Sequence, residues 1–272
     1  MVALIPTLHR HRCRFDPELS LVAEVGGQIV GHVLFSPQTI RILGENVETV
    51  NLSPLAVAPE YQKQGVGGAL VEQGHAVAKA KGYALSFLIG HPPYYPRFGY
   101  QQKAFGSASL KVSTADFTGG DLETRSPTEA ALPFLHDLWL HEEGNVDFAI
   151  DPSADLMEWL SPNPQITTQV YLRGGQVVGY ARTHGDKAHY FLARDGETAR
   201  QMAKQIGAEV ELPLHPYSAS ASAFGTPEHS NWDAAMVCPF APSPFEDYYS
   251  QVQAGAHIQG RPIWGVEFDL SE

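Results

Sequence analysis

The order of apolar and polar residues in the first half of the chain predicts strands around one helix. Short alternating or apolar runs, separated by glycine-containing turns, cover residues 19–25, 28–35, 39–43, 48–57, 85–89 and 107–112. Val66, Leu70 and Val77 fall close to one face of a helix, and the pattern predicts a helix over residues 65–81 that ends at Gly82. The pattern therefore indicates a hairpin, further strands, a helix and a buried strand.

A similar order returns in the second half of the chain. Strands are predicted over residues 122–125, 167–172, 177–183, 187–193 and 209–214. One helix is predicted from an N-cap at Ser126 through about His141, because Pro and Glu follow that serine at suitable positions, and a second over 197–206. Residues 264–270 resemble a closing strand, whereas the Ser-, Ala- and Pro-rich segment that begins at Pro216 has no clear pattern.

The two halves share a local sequence as well as an order of elements. Residues 171–180 read YLRGGQVVGY and echo residues 22–31, which read VAEVGGQIVG. This indicates a degenerate internal duplication with an offset of about 150 residues. The small and polar residues 118–121 form the best candidate linker. We therefore predict two domains, 1–118 and 121–272, of mixed α/β class with a mixed sheet.

Composition and charge narrow the possible partners. The chain has 272 residues, 43% of them hydrophobic, and 18 basic against 30 acidic side chains for a net charge of −12. That charge argues against binding nucleic acid, and no apolar run approaches the roughly 18 residues that span a membrane. Cys13 and Cys238 are isolated, which predicts neither a disulfide framework nor a metal cluster. The N-terminal residues lack the order of a secretory signal, so we expect a cytoplasmic protein.

The segment with the clearest chemical signal is a strand that runs through a glycine-rich turn into the first helix. Residues 55–61 read LAVAPEY, and residues 62–68 read QKQGVGG. Unpaired N–H groups and the dipole at a helix N-terminus attract anions, and glycines allow a pyrophosphate to approach the backbone. The turn lacks the Gly-Lys-Ser/Thr ending of a P-loop, which argues against nucleoside triphosphates. The alternative is an ordinary turn with tight glycine packing.

These residues are similar to those of the GNAT superfamily of acyl-CoA-dependent acetyltransferases. The similarity includes Gln-x-x-Gly-x-Gly after Leu-Ala-Val-x-Pro-Glu-Tyr, and it extends to residues 95–100, YPRFGY, which resemble the closing motif of the family. It covers about residues 19–105 and is closest to a bacterial subgroup of predicted N-acetyltransferases. It implies the GNAT fold, here in tandem with a degenerate second copy, and acetyl-CoA as co-substrate without a metal.

The resemblance also implies roles for individual residues. Tyr95 aligns with the tyrosine that protonates the departing CoA thiolate, whereas we interpret Tyr94 and Phe98 as packing residues. The residues that the resemblance assigns to CoA are Leu55, Ala56, Val57, Gln62, Lys63, Gln64, Gly65, Val66, Gly67 and Gly68. Of these, Lys63 could equally be a solvated loop lysine.

Deprotonation of the acceptor amine is less well defined. Several members of the family carry a Glu at the position of Asn51, which cannot act as a base. Ser53 is predicted to be the second catalytic residue, although it is a weak substitute for that Glu, as are Glu48, His91 and His32; water could also carry the proton. In addition, only about 18 residues precede the first predicted strand, so we expect the first strand and helix of the family's fold to be short or missing in the first domain.

Two functions follow from these residues. The first is an N-acetyltransferase that acts on a small-molecule or peptide amine, and the second is an inactive GNAT-like module that binds acyl-CoA. The intact glycine motif and Tyr95 favour the first, whereas Asn51 and the short N-terminus favour the second. At the turn of the second copy, Asp195 and Glu197 would repel a pyrophosphate, so we expect that copy not to bind CoA. A homodimer is compatible with the sequence.

Overall fold

The computed structural model describes residues 14–260, and these form two compact units. Within that range, the first unit comprises residues 14–105 and 232–257, and the second comprises 106–231 and 258–260. The division differs from the predicted one, because the second unit begins before the predicted linker at 118–121 and a later segment returns to the first unit. The predicted strand at 264–270, Cys13 and most of the segment preceding the first strand lie outside the described residues.

The first unit is built on one mixed sheet with the order β1-β2-β3-β4-β14-β5. Strand β3 runs parallel to β4, and the other neighbours along this order are antiparallel. The elements are β1 (Ser20–Val25), β2 (Gln28–Ile42), β3 (Glu45–Val57), α1 (Val66–Ala80), β4 (Leu85–Ile89), β5 (Gln101–Gln102), β14 (Ala235–Pro239) and α4 (Phe245–Gln253).

Helix α1 packs against this sheet through a core formed by its own apolar face and by β2 and β3. Phe35, Val50 and Leu52 of the sheet lie with Leu70 and Val71 of the helix in one buried cluster. The predicted helix is confirmed to within one residue at each end. The two strands predicted at 28–35 and 39–43 form a single strand, β2, because it stays paired with β3 on both sides of Pro37.

The second unit contains a seven-stranded sheet with the order β13-β6-β12-β11-β10-β9-β7. Buried clusters lie on both faces of it: Met202 and Ala203 of α3 belong to one, and Leu135 and Trp139 of α2 to the other. Its elements are β6 (Gly106–Ser113), β7 (Glu123–Arg125), α2 (Leu132–Glu143), β8 (Phe148–Asp151), β9 (Thr167–Arg173), β10 (Gln176–His184), β11 (Lys187–Ala193), α3 (Gly196–Ile206), β12 (Glu209–Leu212) and β13 (Glu228–Asn231).

The prediction that Ser126 caps helix α2 is wrong. The chain forms a short 3-10 helix over Glu129–Ala131, and the α-helix begins only at Leu132, with Pro133 in its first turn. Proline fits there because the first helical N–H groups need no partner within the helix. The capping pattern in the sequence therefore lies one turn too early.

The two units repeat one topology, as the internal sequence similarity predicts. In the first unit the hairpin β1–β2 is followed by β3, α1 and β4, with β3 parallel to β4. In the second, the hairpin β9–β10 is followed by β11, α3 and β12, with β11 parallel to β12. A strand from elsewhere in the chain then completes each sheet next to the parallel strand: β14 pairs with β4, and β6 pairs with β12.

Strand β14 has a direct consequence for the independence of the first unit. It lies between β4 and β5, and Ala235, Met236 and Val237 are fully buried. The backbone of Ala104 donates to the carbonyl of Ala235 at 3.0 Å, so the end of the N-terminal segment is also tied to this strand. Residues 1–118 alone would expose apolar side chains and the unpaired edge of β4.

We therefore expect the fragment 1–118 to be insoluble or unfolded by circular dichroism. Residues 1–105 joined through a short Gly-Ser linker to residues 232–257 should instead fold cooperatively, because the linker restores β14 to the sheet. The matched control is the same fusion with Val237→Asp, which places a charge in the buried strand. A soluble, cooperatively folded fragment 1–118 would contradict this reading of β14.

Candidate functional site

The site of interest lies where strands β3 and β4 separate. They pair at only three positions, from Thr49 opposite Leu85 to Asn51 opposite Phe87, although β3 continues to Val57 along β2. The register of β3 with β2 shifts between Val33 and Phe35, opposite residues 53–54. Pro54 thus lies at a bulge of β3, where proline is tolerated because it has no N–H group to donate to the ladder. The far end of β3 therefore has one free edge.

A cavity of about 750 Å³ lies beside this free edge and belongs entirely to the first unit. Its wall comes from the end of β3, from the turn and first residues of α1, and from the loop after β4. The lining residues are Leu55, Val57, Gln62, Lys63, Gly65, Gly67, Gly68, His91, Tyr94, Tyr95 and Arg97. The structure thus brings the glycine turn and the Tyr95 loop, 30 residues apart in the sequence, to one cavity.

The N-terminus of α1 opens into this cavity without a side-chain cap. Gly65 stands at the N-cap with φ of 89°, a left-handed conformation that favours glycine, and no side chain of the described residues accepts a hydrogen bond from the first turn. The side chains of Gln62 and Gln64 instead brace the preceding loop, donating to the carbonyls of Val57 and Glu60 at 3.0 Å and 2.7 Å. The first N–H groups of the helix therefore remain available to an anion.

The second unit provides a contrast at the corresponding helix. There, Asp195 stands at the N-cap of α3, and its Oδ1 accepts a hydrogen bond from the backbone of Thr198 at 2.7 Å. Although burial alone would raise it, the hydrogen bonds from Thr198 and the charge of Arg173 hold the pKa of Asp195 below its usual value. A carboxylate of the chain itself thus occupies the position that an external anion would need.

The charge of the cavity wall differs from that of the protein. Lys63 and Arg97 contribute two cations, and none of the lining residues is acidic. In a chain with a net charge of −12, a wall without carboxylates at an open helix N-terminus is suited to a polyanion. Lys63 adopts a positive φ of 61°, so the backbone of the turn is unusual at this residue as well as at Gly65.

The loop after β4 carries a cluster of rings that packs on the glycines. A Cβ at Gly67 would meet the Tyr94 hydroxyl oxygen at 2.7 Å, and a Cβ at Gly68 would meet the Phe98 ring at 3.4 Å. Tyr94, interpreted from the sequence as packing only, therefore lines the cavity and also packs on the helix. Substitution of Gly67 would displace Tyr94 and would not isolate an effect on phosphate approach.

Tyr95 has a well-defined setting within that loop. Its ring lies against Gly90, where a Cβ would approach Cε2 to 2.4 Å, and it contacts Tyr94 and Tyr100 edge-on at 5.0 Å and 5.7 Å between ring centroids. Burial, and then the neighbouring Tyr94, raise the pKa of Tyr95 to about 12. The hydroxyl therefore stays protonated across the physiological range and keeps a proton that it can donate.

A buried hydrogen-bonded group supports the ring on which Tyr95 rests. The Tyr100 hydroxyl lies 2.7 Å from Ser86 Oγ and 3.0 Å from His75 Nε2. Burial, and then the charge of Lys79, lower the pKa of His75 to about 4, so the imidazole is neutral at physiological pH. This group links α1, β4 and the loop; Tyr100 ends the motif at residues 95–100, whereas Ser86 and His75 were not identified from the sequence.

The other predicted site residues lie in different surroundings. Ser53 is at the bulge of β3, and neither it nor Ala56, Gln64 or Val66 is among the residues that line the cavity. Glu48 is engaged with Thr39, whose hydroxyl donates to it at 2.8 Å, and with Arg14. His32 Nε2 lies 3.0 Å from Ser20 Oγ. Of the candidate bases, His91 alone is among the lining residues.

Comparison with known families agrees with this arrangement. Residues 6–102 match a family model described as an acetyltransferase (GNAT) domain. The N-acetyltransferase YjhQ of Escherichia coli K12 is 42% identical over 85 residues, which are 31% of this chain and 47% of that protein. YhbS of the same strain is 39% identical over 87 residues, which are 32% of this chain and 51% of YhbS. The chain spans about half the length of the curated relatives it matches.

Solved structures share the fold over a longer stretch. A probable N-acyltransferase from Enterococcus faecalis V583 has a TM-score of 0.65 at 16% identity, covering 83% of this chain and 63% of that one. A GCN5-related N-acetyltransferase from Kribbella flavida has a TM-score of 0.65 at 19% identity, covering 81% and 60%. The likeness extends well beyond residues 6–102, so the shared fold includes much of the second unit. The comparisons therefore show a match of residues 6–102 to an acetyltransferase (GNAT) domain and a shared fold over a longer stretch.

Proposed function

From the match of residues 6–102 to a GNAT domain and from the cavity described above, we propose that the protein transfers an acetyl group from acetyl-CoA directly to a primary amine. The observation that carries the proposal is the cavity at the free edge of β3, with an uncapped helix N-terminus and two cations in its wall and no acidic lining residue. CoA offers the matching groups: a polyphosphate for the helix end and the cations, and an amide-containing arm for the edge of the strand.

In this proposal the pyrophosphate of CoA binds to helix α1, and its pantetheine arm binds along strand β3. The first N–H groups of α1, at Val66, Gly67 and Gly68, bind the pyrophosphate. The free backbone groups of β3 at residues 55–57 bind the pantetheine arm as an additional strand would. This arrangement directs the thioester toward the region where β3 and β4 diverge, near Tyr95. The side chains of Leu55 and Val57 provide apolar surface for the arm.

The transfer itself requires one proton to leave the amine and one to reach the sulfur. The amine nitrogen attacks the thioester carbonyl carbon, the new C–N bond forms, and the C–S bond breaks. Tyr95 then donates a hydrogen bond to the departing thiolate, or its hydroxyl proton, which solvent water afterwards replaces. Because burial raises the pKa of Tyr95 to about 12, full transfer of its proton to an ordinary thiolate, whose conjugate thiol has a pKa of about 8.5, is uphill but feasible within a hydrogen bond.

We propose that His91 accepts the proton that leaves the amine. It is the candidate base in the cavity wall and its side chain is exposed, so it can reach an acceptor directly or through one water molecule. A primary amine with a pKa of about 10.4 is largely protonated at neutral pH, which makes a base necessary. Asn51 is buried and carries no basic group, so it does not take this role.

The activity is tested with the full-length protein, acetyl-CoA and a panel of amines. We expect release of free CoA thiol that depends on the amine, together with binding of CoA in isothermal calorimetry. The control is Gly68→Val, because a branched side chain there would meet Phe98 and obstruct the first turn of α1. Binding of CoA without thiol release for any amine would favour the inactive binding module, whereas absence of binding would contradict the proposal altogether.

Replacement of Tyr95 by Phe should lower kcat by about 100-fold and leave the Kd for CoA within about twofold. The ring packing on Gly90 and Tyr100 is kept, and only the donor to the thiolate is lost. Because the tyrosine pKa is near 12, the wild-type enzyme should show no loss of kcat between pH 7 and pH 10 from ionisation of this residue. Wild-type turnover in Tyr95→Phe would show that the hydroxyl is not used.

Replacement of His91 by Gln should lower kcat at pH 7 by about 10- to 100-fold, because the amine loses its base. The deficit should shrink as the pH approaches the pKa of the acceptor, since more of the amine is then already neutral. The pH profile of kcat for both proteins provides the measurement, and His184→Gln in the second unit is the matched control. A deficit that stays constant with pH would argue against His91 as the base.

A further inference from the structure

The most unusual side chain in the cavity wall is Arg97. It lies in the short 3-10 helix Tyr95–Phe98, and its guanidinium carbon is 4.1 Å from the centroid of the Tyr94 ring and 4.7 Å from that of Phe98. None of the ion pairs among the described residues involves it. Its charge is thus held by two aromatic rings rather than by a carboxylate.

The same two rings fix the position of Arg97 relative to helix α1. The Tyr94 hydroxyl packs on Gly67 and the Phe98 ring packs on Gly68, the two glycines of the uncapped first turn. The rings also contact each other, with centroids 5.4 Å apart. The guanidinium is therefore tied to the helix end through Tyr94 and Phe98, and it shares the cavity wall with that end.

The position of the guanidinium carbon over the two rings leaves N–H groups available for hydrogen bonds. An arginine that lies on an aromatic face uses its plane for the ring, while the N–H groups at its edge remain free to bind an oxyanion in a two-pronged geometry. Preorganisation on the rings also reduces the side-chain entropy that a free arginine would lose on binding. A lysine on a flexible stem has neither property.

We infer that Arg97, positioned by Tyr94 and Phe98, binds a phosphate group of CoA. The inference rests on the proposed function, because it requires CoA in this cavity, and it assigns to the loop after β4 a role in phosphate recognition in addition to that of Tyr95. Tyr94, which the sequence indicated to be a packing residue, is then a positioning residue for Arg97. The phosphate is either one of the pyrophosphate pair or the 3′-phosphate, which share the same chemistry.

The test compares Arg97→Gln with the wild-type protein by calorimetry, using CoA and 3′-dephospho-CoA, and by turnover with S-acetylpantetheine, which carries no phosphate. We expect CoA to bind about 10- to 100-fold more weakly to the variant, and turnover of S-acetylpantetheine to be unchanged. If dephospho-CoA shows the same loss, the contact is to the pyrophosphate; if it shows none, the contact is to the 3′-phosphate. Both results support the inference.

Salt and matched variants separate binding from structure. Affinity for CoA should fall with ionic strength less steeply in Arg97→Gln than in the wild type, because one charge contact is absent. Lys204→Gln, on an exposed position of α3 in the second unit, removes the same charge and should leave CoA affinity unchanged. Arg97→Lys should retain part of the affinity, since the charge remains without the fork of N–H groups.

The positioning role of Tyr94 has its own pair of variants. Tyr94→Phe keeps the ring beneath the guanidinium and should bind CoA within about twofold of wild type, whereas Tyr94→Leu removes the ring and should weaken binding by about 3- to 10-fold. In the double variant Tyr94→Leu/Arg97→Gln, the tyrosine change should have little further effect. If Tyr94→Leu weakens CoA binding by the same factor in the Arg97→Gln background as in the wild-type protein, Tyr94 does not act through Arg97 and its positioning role is overturned.

Two outcomes distinguish failure of this inference from failure of the proposed function. Wild-type affinity for CoA in Arg97→Gln, or an equal loss of turnover with S-acetylpantetheine, would overturn the role of Arg97 and leave the acetyltransferase proposal intact. A wild-type protein that binds neither CoA nor dephospho-CoA would overturn both.

Discussion

The site depends on the early end of the parallel ladder between β3 and β4. After Asn51 and Phe87 the two strands no longer pair, although β3 continues along β2 to Val57 and β4 continues along β14. A free strand edge inside a domain leaves backbone N–H and C=O groups that need partners. The separation therefore creates both the space of the cavity and the polar groups that a linear, amide-containing ligand can satisfy.

The residues of the cavity wall at the start of α1 and in the loop after β4 serve both packing and the proposed recognition of the ligand. The glycines that open the first turn of α1 are also the surface on which Tyr94 and Phe98 lie, and those rings in turn hold Arg97. Tyr95 rests on Gly90 and on Tyr100, whose hydroxyl is held within the core by Ser86 and His75. A substitution in this cluster therefore removes the functional group of one residue and also shifts the side chains that pack against it. Matched variants are needed to separate these two effects.

The duplicated topology shows how one side chain changes the N-terminus of a helix. Both units have a hairpin, a strand, a helix and a parallel strand in the same order. At α1 the N-cap is a glycine in the left-handed region, and at α3 it is Asp195, which accepts from Thr198. One carboxylate satisfies the helix end from within the chain, so the same fold can offer or close this position according to a single side chain.

The amino-acid sequence alone determined helix α1, the glycine turn before it and the repeated hairpin. Alternation and helical periodicity placed α1 to within one residue, the glycine turn identified the uncapped helix end, and the repeated GGQ hairpin revealed the duplication, because all three depend on neighbours in the chain. The likeness of residues 55–68 and 95–100 to one family came from the same local signals.

The tertiary structure alone decided which distant segments complete each sheet. The placement of β14 beside β4 and of β6 beside β12 depends on long-range pairing that no local pattern specifies, and a buried strand of five residues resembles many others. The same holds for Arg97. Its residue type is visible in the sequence, but its stacking on Tyr94 and Phe98 at the end of α1 arises only when the loop after β4 folds back onto the helix, since cation–π and ring contacts depend on geometry in space.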